Sequence, residues 1–266
     1  MTSSDVPVLA LSGISKRFGA VQALTDAELE VHAGEVVALV GDNGAGKSTL
    51  IKVIAGVGPA DTGEIRWKGK TVSITKPGDA SGLGIATVYQ DLALADNLDV
   101  VGNLFLGHEK TQTGLLNEID MEKQASELLK SLSVKIPSVR VPVAGLSGGQ
   151  RQSVAIARSL LGEPSVVLLD EPTAALGVAQ TAEVLDLVDR LKQRGLGVIL
   201  ISHNLADVKA VADRVAVLRL GRNAGTFRTD STSQEEIVQA ITGALDNAVT
   251  RRQSRTSGAA TPEETA

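Results

Sequence analysis

The 266 residues include no cysteine, only five aromatics (Phe18, Trp67, Tyr89, Phe105 and Phe227) and no excess of basic charge. Each shortage removes a class of protein. Without cysteine there is neither a disulfide framework nor a thiolate metal site. Long apolar runs are missing as well: the longest stretch free of Asp, Glu, Lys and Arg, 195–206, has twelve residues and includes Ser202, His203 and Asn204. A membrane-spanning helix takes roughly 18–20 apolar residues, so none is expected. The opening Met-Thr-Ser-Ser-Asp lacks the basic and apolar regions of a secretion signal, and a cytoplasmic location is expected. With 26 Lys plus Arg against 31 Asp plus Glu, a net charge of −5 and few stacking rings, no nucleic-acid partner is expected either.

What is present is 43% hydrophobic residues, enough for one large domain or two small ones. Residues 8–14 and 27–31 read as strands, joined through Lys16-Arg17-Phe18-Gly19 and an apolar stretch, 21–24. His32-Ala33-Gly34 looks like a hairpin turn. Segments 35–40, 85–89, 166–169 and 198–201 are short apolar runs without alternation, the pattern of parallel strands covered on both faces. Residues 63–67 and 71–74 flank Lys68-Gly69-Lys70 as a second hairpin, and 215–218 is a further strand. Helices are expected over 48–55, from near Asp120, over 151–160, 183–193 and 234–243. Ala125, Leu128, Leu129 and Leu132, at i, i+3, i+4 and i+7, give the second of these one apolar face. Helix-favouring sequence dominates 91–161, and strand–helix alternation elsewhere indicates an α/β fold with a mainly parallel sheet. Beyond Asp246 no apolar period remains, and 246–266 reads as a disordered tail.

Gly41-Asp42-Asn43-Gly44-Ala45-Gly46-Lys47-Ser48-Thr49 satisfies G-x-x-x-x-G-K-[ST] between an expected buried strand and an expected helix. Glycines let successive N–H groups turn inward onto phosphate oxygens, and the helix start adds partial positive charge. Lys47 is expected to reach the β and γ phosphates, and Ser48 to ligate Mg²⁺. A nucleoside triphosphate is therefore the expected ligand. The strand 166–169 ends in Asp170-Glu171. Asp170 at its tip can hold Mg²⁺ through water, while Glu171 points elsewhere and can polarise an attacking water. That pairing favours hydrolysis over transfer to a metabolite.

Leu146-Ser147-Gly148-Gly149-Gln150, placed between these two motifs, resembles the signature of ATP-binding-cassette (ABC) ATPases. By itself Ser147 with the glycines opens a second anion-binding helix terminus. The resemblance implies that Ser147, Gly148, Gly149 and Gln150 complete the ATP site of a second subunit. It further implies that Gln90 senses Mg²⁺ and the attacking water, that His203 contacts the γ-phosphate, and that Phe18 stacks on adenine. A packed place in the N-terminal β layer is the rival reading of Phe18, and His32 and His108 are assigned to the surface. One position departs from the pattern: in Ala174-Ala175-Leu176-Gly177, glycine stands where the family usually has the aspartate that helps join the two sites.

The resemblance covers about residues 6–245. It implies a P-loop core (6–90 and 162–245), an N-terminal antiparallel β layer and an inserted α-helical subdomain (91–161). LGIATVYQDLAL (83–94), NLDVVGNLFL (97–106), EPTAALGVAQT (171–181) and ISHNL (201–205) look like ATPases of bacterial monosaccharide importers, which often fuse two cassettes. With one cassette here, the resemblance implies a homodimer holding ATP and Mg²⁺. It would sit on the cytoplasmic face against a membrane permease and, through it, a solute-binding protein. An exporter ATPase shares the same motifs. A cassette protein acting on DNA or ribosomes typically carries long coiled-coil insertions or tandem cassettes with basic linkers, and neither is expected from this sequence.

Overall fold

The computed structural model describes residues 6–244. The expected tail, 246–266, lies outside them. Two main sheets share the strands of the chain, with β3 of the larger sheet falling in sequence between the strands of the smaller one. The strands β1 (Leu9–Phe18), β2 (Val21–Val31) and β3 (Val36–Val40) precede α1 (Lys47–Ile54); β4 (Thr62–Trp67) and β5 (Lys70–Val72) follow, then α2 (Pro77–Leu83) and β6 (Ile85–Val88). After β6 come α3 (Val100–Phe105), a small hairpin of β7 (Thr111–Gln112) and β8 (Leu115–Leu116), α4 (Glu118–Ser131) and α5 (Gly148–Ser159). The described residues end with β9 (Val166–Asp170), α6 (Val178–Gln193), β10 (Gly197–Ile201), α7 (Leu205–Val211), β11 (Arg214–Arg219), β12 (Arg222–Arg228) and α8 (Gln234–Thr242).

The smaller sheet runs β2-β1-β4-β5, antiparallel throughout. The larger runs β12-β11-β3-β10-β9-β6, parallel except for the edge pair of β11 and β12. Every residue of β3 and of β10 is buried. Alternate side chains of the parallel strands serve two cores. Val36, Ala38, Val40, Val167 and Leu169 face a core shared with α3, α4, α5 and α6. Val37, Leu39, Val166 and Leu168 face one shared with α1 and the antiparallel sheet. That double burial is why these strands carry no polar alternation.

The N-terminal strands are longer than the apolar pattern indicates. β1 and β2 pair through Lys16↔Leu24, Arg17↔Gln22 and Phe18↔Val21, so the segment expected to be a connection is a ladder. Register shifts between Leu11 and Ile14, and again before Lys16 and Arg17, reset which face each residue occupies and erase the alternation. His32-Ala33-Gly34 is not a hairpin: it passes the chain from β2, in one sheet, to β3, in the other. His108 is exposed as expected, whereas His32 is half-buried.

The region between β6 and β9 is mainly helical, and the face of Ala125, Leu129 and Leu132 is buried as its spacing requires, with Leu128 packed partly against it. Its β7–β8 hairpin is not legible from periodicity, because both strands are exposed; only the Thr113-Gly114 turn, with φ of 53° and 84°, signals it. Two arginines on one face of α5 hold the segment after β6. Arg158 donates to the carbonyls of Ala93 (2.8 Å) and Leu92 (3.2 Å), and Arg151 pairs with Asp96 at 2.6 Å. Burial pulls the Arg158 guanidinium below its ordinary pKa. No helix among the described residues is long and apolar enough to cross a membrane.

Candidate functional site

Because β3, β10, β9 and β6 are adjacent and parallel, their carboxyl ends line up along one edge of the sheet. That edge is where open α/β sheets bind ligands. The loop of Gly41–Thr49 follows β3, Ser202 and His203 follow β10, Asp170 and Glu171 end β9, and Tyr89 and Gln90 follow β6. Residues separated by up to about 160 positions in sequence thus converge because four strands end together.

The phosphate loop is built by close backbone contact. Gly46 has φ of 105°, and a Cβ on it would lie 2.8 Å from the Ala23 carbonyl oxygen and from Leu24 Cδ2. Ala45 N–H donates to the Asp42 carbonyl at 3.1 Å, and Asn43 N–H to Asp42 Oδ1 at 2.7 Å. The N–H groups of Gly44, Gly46, Lys47 and Ser48 have no protein acceptor among the described residues. Lys47 is 9% exposed, and its ammonium donates to the carbonyls of Gly41 (2.8 Å) and Asp42 (3.0 Å). Burial lowers its pKa from the ordinary lysine value, against the opposing pull of Glu171, Asp42 and Asp170.

Burial raises the pKa of Asp170, the charge of Glu171 adds to the rise, and Lys47 and Lys52 oppose it. For both Lys47 and Asp170, burial is the largest cause of the shift and opposes the charged form. Anion donors on one loop and a half-buried carboxylate opposite fit a phosphate–cation pair. No three His, Cys, Asp or Glu residues cluster as a metal site among the described residues, so a divalent cation here would draw most of its oxygens from phosphate and water. Ser48 and Gln90 are exposed at this edge.

Glu171 takes φ of 49°, a left-handed conformation rare for a residue with a side chain, and its N–H donates to the Ile201 carbonyl at 3.0 Å. Its Oε1 lies 3.4 Å from His203 Nδ1, and the His203 side chain is 68% exposed. Tyr89 lies near enough to Asp170 for that charge to raise its pKa further, after the larger effect of burial. Phe18 is 53% exposed, which excludes the packed β-layer reading, and the Lys16 ammonium sits 5.6 Å from its ring centroid.

Ser147 caps α5 with a reciprocal pair: Gln150 N–H donates to Ser147 Oγ (3.3 Å) and Ser147 N–H to Gln150 Oε1 (3.0 Å). Gln150 Nε2 also donates to the Lys135 carbonyl at 3.0 Å, so this side chain is engaged in shaping the helix start. Among the described residues no hydrogen bond joins Ser147, Gly148, Gly149 or Gln150 to the phosphate loop of the same chain. Gly149 is a packing glycine: a Cβ there would lie 3.0 Å from Gln180 Cβ on α6. Gly149→Ala should therefore cost about 1–3 kcal/mol by overpacking, seen as a lower thermal midpoint in circular dichroism; an unchanged midpoint would mean α6 yields freely. Gly177 is the N-cap of α6 with φ of −74° and open space around a Cβ, so nothing in the chain's own packing demands glycine there.

Three polar residues beside the site escaped the sequence reading. Asp207 on α7 accepts hydrogen bonds from Thr173 Oγ1 (2.7 Å) and Asn204 Nδ2 (2.9 Å). Asn204 also caps α7, accepting from Ala206 N–H at 3.0 Å. The Asn-x-x-Asp spacing, close to a capping box, was the available signal.

A glycine-rich phosphate loop between a buried parallel strand and a helix, with Asp-Glu at a neighbouring strand end, defines the class of P-loop nucleoside triphosphatases. Residues 24–174 match the family model described as ABC transporter. The chain belongs to that family and is an ATP-binding, ATP-hydrolysing member of it. It is 46% identical over 235 residues to the xylose/arabinose import ATP-binding protein XylG of Sulfolobus acidocaldarius, covering 88% of this chain and 94% of that one. It is 43% identical to the fructose import ATP-binding protein FrcA of Rhizobium meliloti over 90% of this chain and 95% of that protein. The ribose import ATP-binding protein RbsA of Jannaschia sp. is 41% identical over 91% of this chain, which spans 47% of that longer protein. Among solved structures, a nucleotide-free ATP-binding cassette from an ABC transporter superposes with a TM-score of 0.75 at 27% identity, covering 89% of this chain and 95% of that one. The cassette MJ0796, in a dimeric post-hydrolysis state bound to ADP and Pi, gives 0.69 at 25% identity, covering 83% and 98%.

Proposed function

We propose that this chain is the nucleotide-binding subunit that powers import of a sugar, in the monosaccharide class, through a separate membrane permease. The carrying observation is the shared sheet edge that collects the phosphate loop, Asp170, Glu171, His203 and Gln90, in a chain whose relatives are sugar import ATP-binding proteins. Two copies would sandwich two ATP molecules, each phosphate loop facing the partner subunit's signature helix. The dimeric relative and the lack of any bond between the two motifs within one chain support that arrangement. Residues 6–245 would act as one ATPase domain, with core 6–90 and 162–245 and helical subdomain 91–161.

In this reading Phe18 stacks on adenine, and the loop N–H groups with Lys47 bind the phosphates. Ser147, Gly148, Gly149 and Gln150 supply the second anion-binding terminus. Ser48, Asp170 and Gln90 would hold Mg²⁺, which when bound neutralises phosphate charge. Glu171 takes a proton from the attacking water as its oxygen bonds to the γ-phosphorus and the bond to the bridging oxygen breaks, releasing ADP. His203 steadies the γ-phosphate. The segment 90–106, held to α5 by Arg151 and Arg158, carries the movement to a permease docked on it. The protein would sit on the cytoplasmic face of the membrane through that contact, and a solute-binding protein would deliver the sugar.

The test is uptake of labelled xylose, fructose and ribose by cells lacking the chain, restored by the parent and by Glu171→Gln. Loss of uptake of at least one sugar, rescued only by the parent, is expected. Undiminished uptake of all three, with loss of export of another solute, would replace import with export.

A further inference from the structure

Asp207 is 7% exposed, has no cationic partner among the described residues, and plays no part in the hydrolysis scheme above. A buried carboxylate is costly unless its oxygens are satisfied. Here the two donors that satisfy it come from different loops. Thr173 stands two residues after Glu171, and Asn204 immediately follows His203. One carboxylate therefore ties the corner after β9 to the corner after β10.

Both corners need such a tie. Glu171 is in a left-handed conformation, which persists only where the surroundings over-determine it. Its main-chain bonds, N–H to the Ile201 carbonyl and Ala174 N–H to its own carbonyl, fix the turn but not the approach of residues 202–204. The His203 side chain is too exposed for packing to place it, and 3.4 Å from Glu171 is too long for a strong hydrogen bond. Its position follows from the 202–204 backbone, where Asn204 N–H donates to Ser202 Oγ (3.0 Å) and the Asn204 side chain reaches Asp207.

We propose that Asp207 is a positioning residue for ATP hydrolysis, which through Thr173 and Asn204 keeps Glu171 and His203 facing one another. It acts through those residues and touches neither nucleotide nor water. The inference rests on the roles given to Glu171 and His203.

Steady-state ATPase kinetics of the full chain test it. Asp207→Ala should lower kcat by about 10- to 100-fold, the cost of a small misplacement, with KM for ATP unchanged and circular dichroism showing a folded protein. Asp207→Asn should restore most of the rate, because its amide oxygen can accept from Asn204 while its N–H donates to Thr173 Oγ1. Thr173→Val, equal in shape but without the hydroxyl, should also slow kcat, and the Asp207→Ala/Thr173→Val double should be no slower than Asp207→Ala. Parental kcat in Asp207→Ala, a parallel rise in KM, no rescue by Asp207→Asn, or a multiplicative double would each overturn the proposal. Should Asp207→Ala not fold, Thr173→Val decides alone: slower kcat at constant KM supports the tie, and parental kcat removes it. Glu171→Gln run alongside separates the two readings. If it turns over at the parental rate, the assignment of Glu171 fails; if it is slow while Asp207→Ala and Thr173→Val are not, only the tie fails.

Discussion

Glu171→Gln is expected to lower ATP turnover by about 100- to 10,000-fold, the range for loss of a positioned general base, with ATP affinity retained. Glutamine keeps the length and hydrogen-bonding reach of the side chain but cannot take a proton from water. The backbone at φ 49° burdens glutamine and glutamate alike, so the corner itself is not altered. Binding survives for an electrostatic reason. Asp170 is held above the ordinary carboxylate range first by burial and then by the charge of Glu171; removing that charge lets it fall toward its normal value and makes it a better cation ligand. Lys47 loses its largest favourable partner, but phosphate replaces that interaction once nucleotide is bound. The variant should therefore accumulate as an ATP-bound dimer, seen as an ATP-dependent shift in size-exclusion chromatography. Single-turnover measurement with labelled ATP checks the rate, and parental turnover would remove Glu171 from the role of base.

The site was more legible in the sequence than the outline of the fold, and the reason is physical. Phosphate binding demands glycines, a lysine and a hydroxyl at fixed spacing, and a strand buried on both faces demands an uninterrupted apolar run; 36–40, 166–169 and 198–201 therefore announced themselves. β12, with Arg222–Arg228 exposed on alternate residues at a sheet edge, carries no such run, and β7 and β8 bury almost nothing. The ladder of β1 and β2 was concealed by its own register shifts, which exchange faces partway along the strands. Convergence was not legible from spacing or periodicity. That Glu171 meets His203, or that Asp207 reaches Thr173 across 34 positions, depends on β9 and β10 being neighbours, a fact of strand order and not of any local pattern. The resemblance conveyed by the Ser147–Gln150 motif supplied roles that spacing alone could not. The structure adds why two of its members look as they do: Gly149 makes room for Gln180, and Gln150 completes the cap.

Lys47→Met should weaken ATP binding by about 10- to 100-fold, the worth of about 1.5–3 kcal/mol of charge-assisted hydrogen bonding, while the ligand-free protein melts no lower than the parent. The two effects have one cause. In the free protein the ammonium is buried against the carbonyls of Gly41 and Asp42, and burial outweighs the attraction of Glu171, Asp42 and Asp170, so the folded pKa lies below the unfolded one. Between those two values the unfolded chain binds more protons, so stability rises with pH across that alkaline window. Below the folded value both states are protonated, and the cost of burying the charge is present in full. Methionine keeps most of the apolar stem and removes the charge. The Gly41 and Asp42 carbonyls lie on a partly exposed loop, where water can replace the lost donor. What the lysine contributes is realised only when phosphate arrives: the same buried charge that costs stability in the free protein is already stripped of water for the anion. Isothermal titration with a non-hydrolysable ATP analogue measures the first effect and a thermal melt without nucleotide the second. Unchanged affinity would refute the phosphate-loop assignment, and a lower melting temperature would show that the carbonyl contacts outweigh the burial of charge.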